Sequence, residues 1–474
     1  MSLLQTLVGL INDLLWSKVL IALLIALGLY FTFRTKFVQF RLFGEMVRLL
    51  GEGAAASGTD KNKGITSFQA FCISTASRVG TGNLAGVATA VAVGGPGAVF
   101  WMWLIALLGS ATAFVESTLA QIYKVKDKDG FRGGPAYYME KALNARWLGI
   151  IFAVLITFCF GLVFNSVQSN TIAAAMKTAF GTNIQVMGII LAAATGIIIF
   201  RGVKSIATVS QIIVPVMATL YLIIALFVMI TNLTEIPAVF ALIFKSAFGL
   251  EQAAGGGIGA AMMMGIKRGL FSNEAGMGSA PNAAATATVS HPVKQGLIQS
   301  LGVFVDTLLI CSATAFIVLL SGTYTSGAEG IELTQTALAG HIGSWANTFV
   351  AIAVFLFAFS SIIGNYYYGE TNIEFIKDNK LVMFLYRTAV VVMVYFGSVA
   401  SFGIVWDMAD LTMGLMAIVN LIAIVLLGKI SFGALNDYIT QKKAGKDPVF
   451  YADSIEGLKN IESWDYSPAK KQAK

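Results

Sequence analysis

Ala76-Ser-Arg-Val-Gly-Thr-Gly-Asn-Leu-Ala-Gly86 sits in the middle of an apolar run that extends from Phe68 to Val93. The run is long enough to cross a bilayer, which takes about 20 apolar residues. Its centre nevertheless holds Arg78, Gly80, Gly82 and Asn83. Two glycines and an amide at that depth interrupt the helix. Backbone without helical hydrogen bonds is tolerated in a membrane only where it faces protein or a water-filled cavity. The stretch therefore predicts a discontinuous span beside a cavity. The amides of Thr81, Gly82 and Asn83 open the second half-helix and suit a carboxylate, because a helix N-terminus carries free N–H groups and partial positive charge. The carbonyls freed near Ala76 and Val79 suit a small cation, and glycine lets backbone approach a ligand closely.

The rest of the chain supports a membrane setting. Of 474 residues, 57% are hydrophobic and 12% charged, against about a quarter charged in soluble domains. Mean hydropathy is +0.76. The N-terminal apolar run Leu14 to Phe33 has no small-residue cleavage site after it and reads as a retained helix rather than a signal peptide. Eleven spans are expected, near 14–33, 66–94, 97–122, 147–176, 184–200, 206–231, 252–290, 295–320, 344–368, 382–400 and 404–428. Segments 134–143 and 236–248 read as surface helices.

Loop charges orient these spans. Arg34, Lys36, Arg41, Arg48, Lys61 and Lys63 follow the first span, and Lys124, Lys126, Lys128, Arg132, Lys141 and Arg146 follow the third. Arg201, Lys204, Lys294, Lys377, Lys380 and the lysines of the tail fall on the same side. The other side holds Lys177 and Lys245, and its loop 322–343 has no Lys or Arg. By the positive-inside rule the N-terminus is expected outside and the C-terminus in the cytoplasm of a plasma-membrane protein. The net charge of +7 is thus a topology signal, and the tail is expected to be solvated.

Without the first span, ten remain, and five plus five gives halves that cross in opposite senses. Spans 66–94 and 252–290, both long and polar in the middle, open the two halves. Paired interrupted helices mark the site of inverted-repeat transporters. The expected fold is an all-α integral membrane protein with one N-terminal helix plus a five-plus-five inverted repeat. Its parts are 1–65 (first helix and basic loop), 66–231 (first repeat), 232–251 (linker), 252–428 (second repeat) and 429–474 (tail).

The second interrupted span carries Ser272, Asn273 and Glu274. An ionisable residue at membrane depth is a functional candidate. Glu274 has four readings: acceptor of a substrate amine, cation ligand, proton carrier, or partner of Arg268 or Arg78. Arg78 has three: a stand-in for a second cation, a counter-charge for a carboxylate, or a partner of Glu116 or Glu274. Pairing ranks first for Arg78. Glu116 and Asp306 read as buried hydrogen-bonded carboxylates, with a gating role open for Glu116. Glu370, Asp407 and Asp410 read as interfacial.

The motifs GTGNLAGVATA, GGPGAVFWMW, GGPAYYMEKAL, RGLFSNEAGMGSAP and YYGE resemble the alanine/glycine:cation symporter family from about residue 66 to 428. The resemblance implies a variant of the leucine-transporter fold with one extra N-terminal helix. It also implies sodium-driven uptake of small neutral amino acids, without an organic cofactor. By that resemblance Thr81, Gly82 and Asn83 hold the substrate carboxylate, Phe164 and Gln168 line the pocket, and Phe271 and Asn273 approach from the second broken helix. Sodium lies between the carbonyls of Ala76 and Val79 and the hydroxyls of Ser360 and Ser361. Where the family carries a Trp before YYGE, this chain has Asn365. A larger, more polar pocket is implied, which brings in glutamine or asparagine beside alanine and glycine.

Proton coupling through Glu274 or Glu116 is the rival within transport, and an ion channel the rival of another class. An enzyme is disfavoured. No HExxH is present, and His291 and His341 lie outside the broken helices. Cys72, Cys159 and Cys311 form no CxxC, and sodium is the only metal implied.

Overall fold

The computed structural model describes residues 3–56, 64–127, 130–200, 204–250 and 257–468. Lys61, Lys63, Lys128, Arg201 and the last tail lysines, all used above to set topology, lie outside the described residues.

The chain is a bundle of helices with one two-stranded hairpin, β1 (Val125–Asp127) and β2 (Gly130–Arg132). Among the described residues seven helices are long and apolar enough to cross a membrane. They are α1 (Thr6–Arg34), α5 (Ala98–Ile122), α7 (Arg146–Phe180), α13 (Pro292–Ser321), α15 (Trp345–Ile376), α16 (Lys380–Val399) and α17 (Phe402–Lys443). An eighth candidate is the pair Pro215–Thr231 and Ile236–Ala247, which meet at 102°. These belong to α9 (Lys204–Thr231) and α10 (Ile236–Ala247). The other expected spans do not qualify by length. Helix α8 (Ile184–Ile199) has 16 residues, short for a hydrocarbon core of about 30 Å.

The two remaining expected spans are the broken ones. The first is α3 (Ser67–Arg78) followed by α4 (Gly82–Gly94). The second is α11 (Ile258–Asn273) followed by α12 (Ala280–Thr286). The lateral helices α2 (Phe43–Ala56), α6 (Pro135–Leu143) and α14 (Gly330–Ile342) complete the set. Helices α6 and α10 occupy the two segments expected as surface helices.

Local sequence explains where α3 begins. Thr66 and Gln69 form a reciprocal capping box, with Gln69 N–H donating to Thr66 Oγ1 (3.2 Å) and Thr66 N–H to Gln69 Oε1 (3.0 Å). Helices α7, α13 and α4 each contain a wide, π-type stretch, at Thr157–Phe164, Phe304–Cys311 and Gly82–Gly86. Such turns recur at functional positions, and all three flank the breaks. Helix α13 packs along α5, and α7 packs on α15 and α16, so the broken helices lie inside the bundle.

The tail departs from expectation. Instead of standing in solvent, residues 447–464 fold back on the lysine-rich side. Phe450 N–H donates to Ser290 O (2.9 Å), Asn460 Nδ2 to Lys141 O (2.9 Å) and Trp464 Nε1 to Gln121 O (3.0 Å). Trp464 and Phe131 cover the Lys124 ammonium at 5.0 and 4.0 Å. Burial pushes that lysine down to about 7. Helix α2 is tied to the end of α17 by Glu45, which bonds Arg48, Lys442 and Tyr438. The hydrogen-bonded Arg48 guanidinium is the main cause that holds the Glu45 carboxyl down at about 2.

Candidate functional site

At the first break α3 ends with Val79 extended at φ −80°, ψ 98°. Gly80 N–H donates to Asn83 Oδ1 (2.9 Å), and Asn83 Nδ2 donates to Asp306 Oδ1 (2.7 Å). Both ends of the Asn83 carboxamide are therefore committed inside the protein, whereas the group the sequence offered to a carboxylate is its backbone N–H. The break is braced from α13, because Asp306 Oδ2 also accepts from Ser272 (2.8 Å) and Thr307 (2.9 Å).

The Thr81 amide donates to Gln168 Oε1 (3.1 Å). An uncharged oxygen from α7 thus stands where a carboxylate oxygen was expected. Gly80 has no room for a side chain, since a Cβ there would lie 2.5 Å from Ser361 Oγ and 2.9 Å from Gln168 Oε1. Gly82 is equally restricted, because its Cβ would lie 2.9 Å from Phe271 Cδ1. Phe271 stacks at 4.5 Å on Phe164 and at 4.8 Å on Trp406. Thr81, Gly82, Phe164, Gln168 and Phe271 are brought together at this break.

The expected sodium ligands also converge. Ser361 Oγ lies 2.7 Å from Ala76 O, 3.4 Å from Val79 O and 3.0 Å from Phe357 O. Ser360 Oγ, next along α15, donates to Phe357 O (2.8 Å). The Ala76 and Val79 carbonyls lack helical donors because α3 ends at Arg78. A set of carbonyl and hydroxyl oxygens suits a hard cation.

At the second break Glu274 adopts φ 58° and Gly276 and Gly278 adopt φ 91° and 84°. Positive φ is routine for glycine and unusual for a glutamate. Asn273 Oδ1 accepts from Ala275 N–H (3.0 Å) and its Nδ2 reaches Thr307 Oγ1 (3.3 Å), so this amide caps the break instead of facing the aromatic rings. Glu116 accepts from Gly276 N–H (3.0 Å) and Asn420 Nδ2 (2.8 Å). It is a brace, and the expected pairing with Arg78 is not made.

Glu274 is likewise paired with no arginine. Its carboxylate accepts from Ser77 (2.7 Å) and Ser279 (2.6 Å). Ser77 Oγ also lies 2.8 Å from Asn365 Oδ1. Asn365 therefore belongs to the Glu274 network across α3 and α15. The sequence had placed it against the substrate.

The chain belongs to the sodium:alanine symporter family. The family model matches residues 1–452. Over 468 residues the chain is 62% identical to the probable sodium/glutamine symporter GlnT of Bacillus subtilis, covering 98% of this chain and 97% of that protein. It is 60% identical to the amino-acid carrier protein AlsT of the same organism, over 97% and 98% of the two chains. The sodium/alanine symporter AgcS of Methanococcus maripaludis is 38% identical, over 89% and 94%. A solved manganese transporter of Eremococcus coleocola superposes with a TM-score of 0.52 at 13% identity, over 86% and 83% of the chains. That likeness concerns the fold alone. The protein is a transporter and not an enzyme.

The symporter carries a buried ion pair that the sequence reading placed at the interface. Arg268 on α11 donates twice to Asp410 on α17, at 2.9 and 2.7 Å. Lys267 adds a third contact at 3.3 Å. The Arg268 guanidinium also lies 4.4 Å from the Trp406 ring centre. This pair sits next to Phe271 along α11 and Trp406 along α17, so it packs against the aromatic cluster. Its sequence signal was the spacing Trp406–Asp410, one helical turn that puts ring and carboxylate on one face. Glu370 is also buried rather than interfacial, bonded to Tyr366 (2.8 Å) and Arg387 (2.9 Å).

Proposed function

We propose that the chain couples sodium entry to uptake of a neutral amino acid by alternating access, with glutamine its leading substrate and alanine and glycine behind it. The observation that carries this reading is the adjacency of two half-sites at one break. The Thr81 amide faces an oxygen acceptor, and the Ala76 and Val79 carbonyls face the Ser361 hydroxyl. A substrate carboxylate takes the place of Gln168 Oε1 at the Thr81 N–H, and the Gln168 carboxamide turns to the substrate. Sodium enters among the carbonyls once the Ser361 hydroxyl rotates to offer a lone pair. The two events engage residues on either side of Gly80, Thr81 for the carboxylate and Val79 for the cation, which is how occupancy of one half-site favours the other.

Phe164, Phe271 and Trp406 give the substrate's carbon chain an apolar wall, and Arg268–Asp410 closes one side. The facing breaks, with Gly82 against Phe271 and Ser272, support a five-plus-five inverted arrangement. The alternating loop charges support a plasma-membrane protein with its N-terminus outside. Glutamine is favoured because the most similar of the relatives described above is named a sodium/glutamine symporter. Asn365 Oδ1 lies against Ser77, so the preference for glutamine rests on that relative rather than on pocket size.

Uptake of labelled glutamine, alanine and glycine into proteoliposomes tests the proposal. An inward sodium gradient should drive glutamine most strongly. Ser361→Ala should raise the sodium concentration for half-maximal uptake about tenfold or more, as expected for loss of a ligand to a charge. Uptake driven by a proton gradient without sodium would replace this reading with the proton-coupled one, and current without substrate would replace it with a channel.

A further inference from the structure

Arg78 is buried, 2% exposed, and among the described residues it makes no ion pair. Its one hydrogen bond is a long one, from Nη1 to the Gln299 carbonyl (3.4 Å). Nε and Nη2 have no partner. The three buried carboxylates that act on it through space are hydrogen-bonded elsewhere: Glu116 to Gly276 and Asn420, Glu274 to Ser77 and Ser279, Asp306 to Asn83, Ser272 and Thr307. A guanidinium stays charged at any physiological pH. Burying it with no counter-ion in contact costs several kcal/mol, and carboxylates that act only from a distance offset that cost in part.

The surroundings of Arg78 show the chemistry of the missing partner. Phe71, Thr75 and Arg78 recur at helical spacing on one stripe of α3. Gln295, Gln299 and Gly302 do the same on α13. The stripes face each other, since a Cβ on Gly302 would run into Arg78 Nη1 and lie 3.6 Å from Phe71 Cε2. The adjoining face of α13 is turned to α5, where Ser300 meets Ser110. Thr75 Oγ1 and both amide atoms of Gln295 and Gln299 are buried without a partner, exactly as are the two Arg78 nitrogens. Native proteins leave few such atoms, and here they are gathered on two facing stripes.

The set is rich in donors. The guanidinium accepts nothing, whereas each carboxamide balances two N–H with the two lone pairs of its oxygen and the threonine hydroxyl can donate, so the surplus of donors comes from Arg78. Because both atoms of each carboxamide are unpaired, this conclusion does not depend on which way the amides are turned. Water balances donors and acceptors, whereas an anion is acceptor only and also supplies the charge that Arg78 lacks. The close approach of Gly302 to the guanidinium restricts the space to something small. The substrate carboxylate is a different ligand, because the Thr81 amide looks toward α7 and Arg78 reaches α13.

We propose that the facing stripes of α3 and α13 bind a small monovalent anion, chloride in a cell, with Arg78 as its counter-charge and Thr75 and Gln299 as donors. Side chains in a helix lean toward its N-terminus. Arg78 therefore reaches down to the level of Thr75 and Gln299, and Gln295 lies one turn farther toward the lysine-rich side. Arg78 is the last residue of α3 before the break, so the anion fixes the end of the half-helix that carries the Ala76 carbonyl.

The test uses the full chain, purified in sodium gluconate. Thermal unfolding is followed as gluconate is replaced by chloride or bromide at constant sodium and ionic strength. A saturable rise in midpoint with either halide is expected, together with a bromide anomalous peak between α3 and α13 in crystals. Gln299→Leu should raise the halide concentration for half-effect about tenfold or more, and Arg78→Gln should abolish the effect. If Arg78→Gln does not fold, Gln299→Leu and the bromide peak decide alone. No halide effect in the unmodified protein, an effect unchanged in Gln299→Leu, or a bromide peak only elsewhere each overturns the proposal. These readouts do not involve uptake, so they stand or fall separately from the transport reading.

Discussion

Arg268 and Asp410 form a buried pair whose removal has an asymmetric cost. Their side chains are 5% and 3% exposed and joined by two short hydrogen bonds. Removing one partner of such a pair costs about 3–5 kcal/mol, because the other charge is left buried, whereas replacing both with apolar residues is often near neutral. Lys267 breaks the symmetry. It already lies 3.3 Å from Asp410 Oδ2, so in Arg268→Met the carboxylate keeps one cation. In Asp410→Leu two cations lose the acceptor they share. Asp410→Leu is therefore expected at the upper end, about 5 kcal/mol, and Arg268→Met at the lower end, about 3 kcal/mol. The double variant is expected to recover most of the loss, leaving a coupling of several kcal/mol. Equilibrium unfolding in mixed micelles of the wild type, the two single variants and the double variant measures the cycle. Single variants that each cost under about 1 kcal/mol would show a solvated pair. A double variant whose loss equals the two single losses together would show that the groups do not interact. Either result refutes the reading of Arg268 and Asp410 as a buried, coupled pair.

Gly80→Ala is expected to abolish sodium-dependent uptake while the protein remains folded, because its methyl would occupy the space between Ser361 Oγ and Gln168 Oε1; uptake within about twofold of wild type, less than 1 kcal/mol of effect, would show that the break relaxes freely. Lys124 gives a pH signature. The free chain keeps its lysines protonated to about 10.4, whereas burial brings folded Lys124 to about 7. Between those values the unfolded chain holds more protons, so stability rises with pH from about 7 to about 10. Lys124→Met is expected to flatten that rise in thermal unfolding, and equal slopes in the two proteins would remove Lys124 as its source.

The sequence by itself determined the membrane setting and the two interrupted helices. These follow from local rules. Hydropathy and loop charge report the solvent on each side of a residue, and glycines in an apolar run report a helix that must break. The tertiary structure decided which partner each buried polar group takes. Asn83, Asn273 and Glu116 carry functional chemistry by type, yet all three are spent on bracing the breaks. Asp410 reads as an end-of-span carboxylate until α11 brings Arg268 to it from 142 positions away in the chain. Arg78 reads as half of a pair until the carboxylates prove to be occupied. A buried polar atom is satisfied by whatever the fold places within about 3 Å, and that distance is set by helix packing between segments remote in sequence, where no local pattern reaches.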